Sequence, residues 1–160
     1  VWSFELKFAV ERLRHIDPLP VVLQAMGEVR EFGKHRENLY LIFAELLSNA
    51  VEHGLLGLNS KFKNSPEGFM NYYTERELRL ARMQSGWVEV RCKHQPTADG
   101  GILTVVIEDS GVGFDHVGML RNLDENRGLH GRGIPLLRAL CQSISYPGWG
   151  NRVEVVYVWE

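Results

Sequence analysis

The stretch ILTVVIEDSGVGF, residues 102–114, decides how the chain is to be read. Side chains alternate along a strand, so Leu103, Val105, Ile107 and Asp109 share one face, and a carboxylate ends an otherwise apolar row. A buried carboxylate without a partner is costly, so Asp109 needs a donor. Gly111 and Gly113 leave bare backbone beside the acid, close enough for a flat polar ligand to supply that donor. An Asp-Ser-Gly turn between two strands is the other reading of the same residues. Two further stretches of the chain favour the ligand.

The first lies upstream. Residues 34–56 have helical periodicity, with Leu39, Ile42, Phe43, Leu46, Leu47 and Ala50 in a broad apolar stripe, and Leu41, Ala44 and Val51 filling much of the remainder. On so apolar a helix the polar residues carry information. Glu45, Asn49 and Glu52 stand at i, i+4 and i+7, a spacing that puts them on one face. A polar face turned to water is one account of them. The other is a site in which the Asn49 side-chain oxygen binds a hard cation and Glu45 orients or deprotonates an attacking hydroxyl.

The second stretch is GLHGRG, residues 128–133, before the helical run IPLLRAL. Its glycines suit a lid, and the helix that follows offers free amides and a positive dipole end to a phosphate chain. It lacks the lysine-bearing phosphate loop and the strand-glycine fingerprint of dinucleotide folds.

Around these stretches the chain alternates strands and helices. Trp2, Phe4, Leu6, Phe8 and Val10 alternate with polar residues as a half-buried strand, and residues 17–29 read as a helix capped by Asp17 with Pro18 in its first turn. Ser65-Pro66-Glu67 opens another helix, expected to reach about Gln84, with Glu75 and Arg79 at the favoured pair spacing. Strands follow at 87–94 and 102–109, then at 143–146 and 153–159. The 160 residues suffice for one domain, and a 44% apolar, 24% charged composition is ordinary for a globular protein. A net charge of −2 gives no basic field for nucleic acid or an anionic membrane, and no apolar run is long enough to span a bilayer; a cytoplasmic protein is expected. Cys92 and Cys141 have no metal-ligand spacing and read as buried free thiols.

ELLSNAVEHG, DSGVGF and GLHGRGIPLLRAL, in that order and separated by strands, resemble the N, G1 and G2 boxes of the GHKL ATP-binding superfamily. The resemblance implies the Bergerat fold, an α+β two-layer sandwich whose mixed, mostly antiparallel sheet is covered on one face by helices. It implies ATP and magnesium as cofactors, with Asp109 receiving the adenine amino group, Asn49 holding the metal and Glu45 as catalytic base. Gly111 and Gly113 would shape the adenine pocket, and Gly131 and Gly133 would meet the phosphates. The implied cofactor-binding set extends to Glu52, His53, Phe114, Arg127, Gly128, Arg132, Ile134 and Asn151.

Within the superfamily, ELLSNAVEHG and the closing GNRVEVVYVW look most like the anti-sigma-factor serine/threonine kinases. That likeness implies phosphorylation of an anti-sigma-factor antagonist protein, with a sigma factor and a homodimer as further associations. The loop and helix from Leu55 to Gln84 are similar to versions fused behind receiver and phosphatase domains, which suits a domain cut from a longer chain. Two departures stand out. Leu129 and His130 occupy the place where a basic residue near the terminal phosphate is common, leaving Arg127 or Arg132 for that role, and Asn151 stands where threonine is common. A histidine kinase catalytic domain and a nucleotide-gated binding module without phosphoryl transfer are the competing functions. His15 and His35 are poor phosphoacceptors, because His35 falls on the same helical stretch as Asn49.

Overall fold

The structure is a computed structural model that describes residues 1–27, 30–58, 65–111, 133–147 and 151–160. Five strands, β1 (Trp2–Ala9), β2 (Trp87–Pro96), β3 (Gly101–Asp109), β4 (Ser143–Ser145) and β5 (Arg152–Trp159), form one sheet in the order β1-β2-β3-β5-β4. Every strand pairing among the described residues is antiparallel. The helices are α1 (Val10–Leu13), α2 (Pro18–Met26), α3 (Arg36–Ser48), α4 (Pro66–Arg82) and α5 (Gly133–Leu140). A 3-10 segment, Arg30–His35, leads into α3, and a π-helical turn, Asn49–Leu55, continues from it.

Strand alternation sorts the two faces of the sheet. Phe8, Val88, Val90, Cys92, Leu103, Val105, Ile107, Val153, Val155, Tyr157 and Trp159 are buried in one core with Leu39, Ile42, Phe43 and Leu46 of α3 and Leu137 of α5. The opposite face of the sheet is charged where β1, β2 and β3 meet. Glu89 and Glu108 are register partners, and Arg91 stands between them, 3.5 Å from Glu89 and 3.3 Å from Glu108. That bridge offsets the repulsion of two like charges facing each other across strands.

Local signals set the helix starts. The Asp17 carboxylate accepts from the Leu19 amide at 3.0 Å, and the Ser65 hydroxyl oxygen accepts from the Gly68 amide at 2.9 Å, with proline early in both helices. α2 stops at Met26, where Gly27 takes φ 76°, and Val10 leaves the first strand to open α1. The expected helix over 34–56 is divided in three, and its α-ladder ends at Ser48. Both cysteines are free and buried, and burial pushes the Cys92 thiol up to about 12 and that of Cys141 to about 11, which keeps them unreactive. Among the described residues no helix is long and apolar enough to cross a membrane.

Leu103 lies fully buried at the middle of the sheet. Leu103→Ala is expected to cost about 2–5 kcal/mol of stability, read as a lowered urea midpoint with an unchanged slope.

Candidate functional site

Strand β3 ends on its core face at Asp109, which is buried. The turn beyond it is fixed on both sides. Ser110 donates its amide to the Trp87 carbonyl at 3.0 Å, while its hydroxyl oxygen accepts from the Trp87 amide at 2.8 Å. On the other flank the Asp109 amide donates to the Asn151 carbonyl at 2.9 Å, and the Asn151 side-chain amide donates to the Asp109 carbonyl at 3.2 Å. The carboxylate itself accepts from the Gly111 amide at 2.8 Å. Burial is the main reason its pKa rises from 3.8 to about 6; Glu108 adds to the rise and the Gly111 amide opposes it.

Bare backbone makes this burial possible. A Cβ on Gly54 would overlap the Asp109 carboxylate, standing 2.6 Å from its Cγ, and one on Gly111 would overlap the Gly54 carbonyl. Asp109, Gly54 and Gly111 therefore form one close-packed unit that any side chain at either glycine would break.

The π-helical turn carries Gly54 to that position and begins with Asn49. Such turns are rare and concentrate at functional sites, because the widened ladder re-aims side chains that an α-helix would stack. Asn49, Asp109, Tyr146 and Asn151 border a small cavity with Leu46, Ala50 and Arg152. The described residues alone enclose about 10 Å3, room for one water. Two buried nitrogens at its border, Nδ2 of Asn49 and Nε of Arg152, have no hydrogen-bond partner among the described residues. Tyr146 lines the same space, and its hydroxyl is pushed up to about 12 by burial, with Arg138 opposing the rise.

The expected common face holds for Glu45 and Asn49, whose amide still donates to the Glu45 carbonyl, and this turn corrects it for Glu52. Asn49 borders the Asp109 cavity, whereas Glu52 is buried among Ser48, Tyr72 and Arg76 and lines a separate cavity near α1 and α2. The spacing i, i+7 keeps one face only while the α-ladder holds, and here the ladder widens beyond Asn49. Glu45 is half-buried one turn before Asn49 on α3. The His53 ring nitrogen Nδ1 lies 2.7 Å from the Leu58 carbonyl, tying down the chain that leaves the turn. Gly133 starts α5 and Ile134 is buried beneath it. Gly113, Phe114, Arg127, Gly128, Gly131 and Arg132 lie outside the described residues. Sequence reasoning missed Gly54, Tyr146 and Arg152. For Gly54 a signal existed, a glycine directly after the polar residues of an otherwise good helix.

The chain matches the histidine kinase-like ATPase domain over residues 10–157. It belongs to that family. No curated protein matches it in sequence. The match spans α3, the π-helical turn, β3 and α5 together, so the order of boxes in the sequence and the family assignment agree.

A histidine kinase-like ATPase domain takes ATP, and the described residues offer groups suited to a nucleotide. Asp109 offers a buried acceptor, at the border of the small cavity, to a ring amino group. Asn49 has an amide whose nitrogen is unmatched and whose rotation presents either a donor or an acceptor to the cavity. Among the described residues no group of three or more His, Cys, Asp or Glu gathers to hold a metal. A hard cation here would rest on Asn49 and on the oxygens of its ligand, as magnesium with phosphates does.

Two outcomes follow from the Asp109 unit. Gly54→Ala is expected to destabilise the domain by about 1–3 kcal/mol, and Asp109→Ala in the same chain should recover much of that loss in thermal melts, since it removes the group struck. Because the folded domain raises the Asp109 pKa above 3.8, it binds the proton more tightly than the unfolded chain does, so this group lowers stability as pH rises from 3.8 to about 6. Asp109→Asn removes that slope and should stabilise the domain at pH 7 by on the order of 2 kcal/mol, measured by urea titration at several pH values.

Proposed function

We propose that this histidine kinase-like ATPase domain is an ATP-dependent serine/threonine protein kinase of the anti-sigma-factor type. Its substrate would be an anti-sigma-factor antagonist protein in a bacterial partner-switching pathway. The nucleotide part of this reading is carried by one observation, the buried Asp109 carboxylate seated against Gly54 and bonded to Gly111 beside an unmatched Asn49 amide. The kinase part is supported by Glu45 one turn before Asn49 and by the likeness of ELLSNAVEHG and GNRVEVVYVW to that subgroup.

In this reading Asp109 accepts the adenine amino group, and ionised Asp109 gains back in that bond part of what its burial costs. Asn49 holds magnesium, and the backbone amides at Gly131–Gly133 take the phosphates at the entry to α5. Magnesium supplies charge neutralisation on the transferring phosphoryl group when bound. Glu45 orients the incoming serine or threonine hydroxyl and receives its proton. The hydroxyl oxygen bonds to the γ-phosphorus, the bond from that phosphorus to the bridging oxygen breaks, and ADP leaves with the electron pair. Positioning and charge carry most of such a reaction, which suits a site built from short, fixed turns.

The test is incubation of the domain with magnesium, γ-labelled ATP and an antagonist protein from the same genome. Label is expected on a serine or threonine of the partner. Glu45→Ala should reduce transfer by about 10²–10⁴-fold while nucleotide binding persists, and Asn49→Ala should remove magnesium-dependent binding and transfer together. Tight, magnesium-insensitive binding of ATP by Asn49→Ala would remove the metal role. ATP binding with no transfer would make the domain a nucleotide-gated binding module, and label on a histidine of the chain would make it a histidine kinase catalytic domain.

A further inference from the structure

We propose that Glu52, with Tyr72 and Ser48, is a positioning device for the nucleotide site, locking the π-helical turn that sets Gly54 against Asp109. The proposal rests on the nucleotide reading above. Glu52 is 6% exposed, and a carboxylate that deep has to be matched by donors. The buried Tyr72 hydroxyl donates to Oε1 at 2.6 Å, the Ser48 hydroxyl donates to Oε2 at 2.7 Å, and Arg76 Nε stands 3.9 Å from Oε2. Burial, reinforced by the Glu52 hydrogen bond and charge, holds the Tyr72 hydroxyl well above the usual phenol range, so it remains a donor.

The placement of these bonds gives them their role. Ser48 is the last residue of α3 and Glu52 sits inside the π-helical turn, so the Ser48–Glu52 bond spans the junction between the two ladders with Asn49 within the span. Helix α4 also grips the chain just past the turn, as Arg79 Nη1 donates to the Leu56 carbonyl at 2.9 Å and the Gly57 carbonyl at 3.1 Å. A π-helical turn has a poorer ladder than an α-helix and persists where its surroundings determine it. Relaxation to the α-ladder would slip the register by one residue. His53 or Leu55 would then face the Asp109 carboxylate where only a glycine fits. Glu52 thus acts on the ligand through the backbone of the turn, without touching it.

The experiment compares Tyr72→Phe, Ser48→Ala and Ser48→Thr with the unsubstituted domain. Amide exchange is followed at Leu56 and Leu58, which donate to the carbonyls of Val51 at 2.9 Å and Glu52 at 2.8 Å, with Val105 in the central strand as reference. ATP affinity in magnesium is measured by calorimetry. Tyr72→Phe and Ser48→Ala should exchange about tenfold faster at Leu56 and Leu58 with Val105 unchanged. Their ATP affinity should fall by about tenfold or more, and Ser48→Thr, which keeps the hydroxyl, should restore both readings. Unchanged exchange, or faster exchange with unchanged affinity, would overturn the proposal. If Tyr72→Phe does not fold, the Ser48 pair decides it. Failure of the unsubstituted domain to bind ATP would overturn the nucleotide reading and this role with it, whereas loss confined to the variants upholds both.

Discussion

The burial of the Asp109 carboxylate is the constraint on which the site depends. A charge at the end of the core face of β3 raises its own pKa, and one backbone amide does not offset the lost water. The rest of the neighbourhood is arranged to tolerate that cost. Ser110 is fixed to Trp87, Asn151 is bonded twice to the Asp109 backbone, and Gly54 leaves its Cα bare against the carboxylate. A structure selected for stability alone would place an apolar residue here.

The π-helical turn reconciles two demands made on a single helix. One side of it supplies Asn49 to the Asp109 cavity and Gly54 to the carboxylate itself, and the other supplies Glu52 to α4. In a regular helix Asn49 and Glu52 would share nearly one face and could not serve both. The wider ladder turns them apart. It also ties α4 to the site, because Tyr72 and Arg76 reach the turn from that helix and Arg79 reaches the residues just past it.

Much of the fold was legible because its signals are local. The alternation of Trp2 to Phe8, the Asp17 and Ser65 caps with their prolines, and the apolar row Leu103 to Ile107 each follow from short-range geometry and stand in the structure as read. The end of β3 was legible for the same reason, since a carboxylate closing an apolar row needs no tertiary knowledge to be noticed. Glu52 was not. Its spacing from Asn49 assumed an unbroken α-ladder, and nothing within the helix itself announces a π-helical turn.

The sequence by itself determined the strands, the helix starts, the acid that ends the central strand and the order of its three ligand-like stretches, and those three stretches lie within the family match over residues 10–157. Only the tertiary structure decided which side of the helix each polar residue serves, and that Gly54 rather than Glu52 meets Asp109. The reason is physical. Period and capping are properties of neighbouring residues, whereas the register of the turn is set by distant groups, Tyr72 and Arg76 on α4 and Asp109 on β3, that meet it only when the chain has folded.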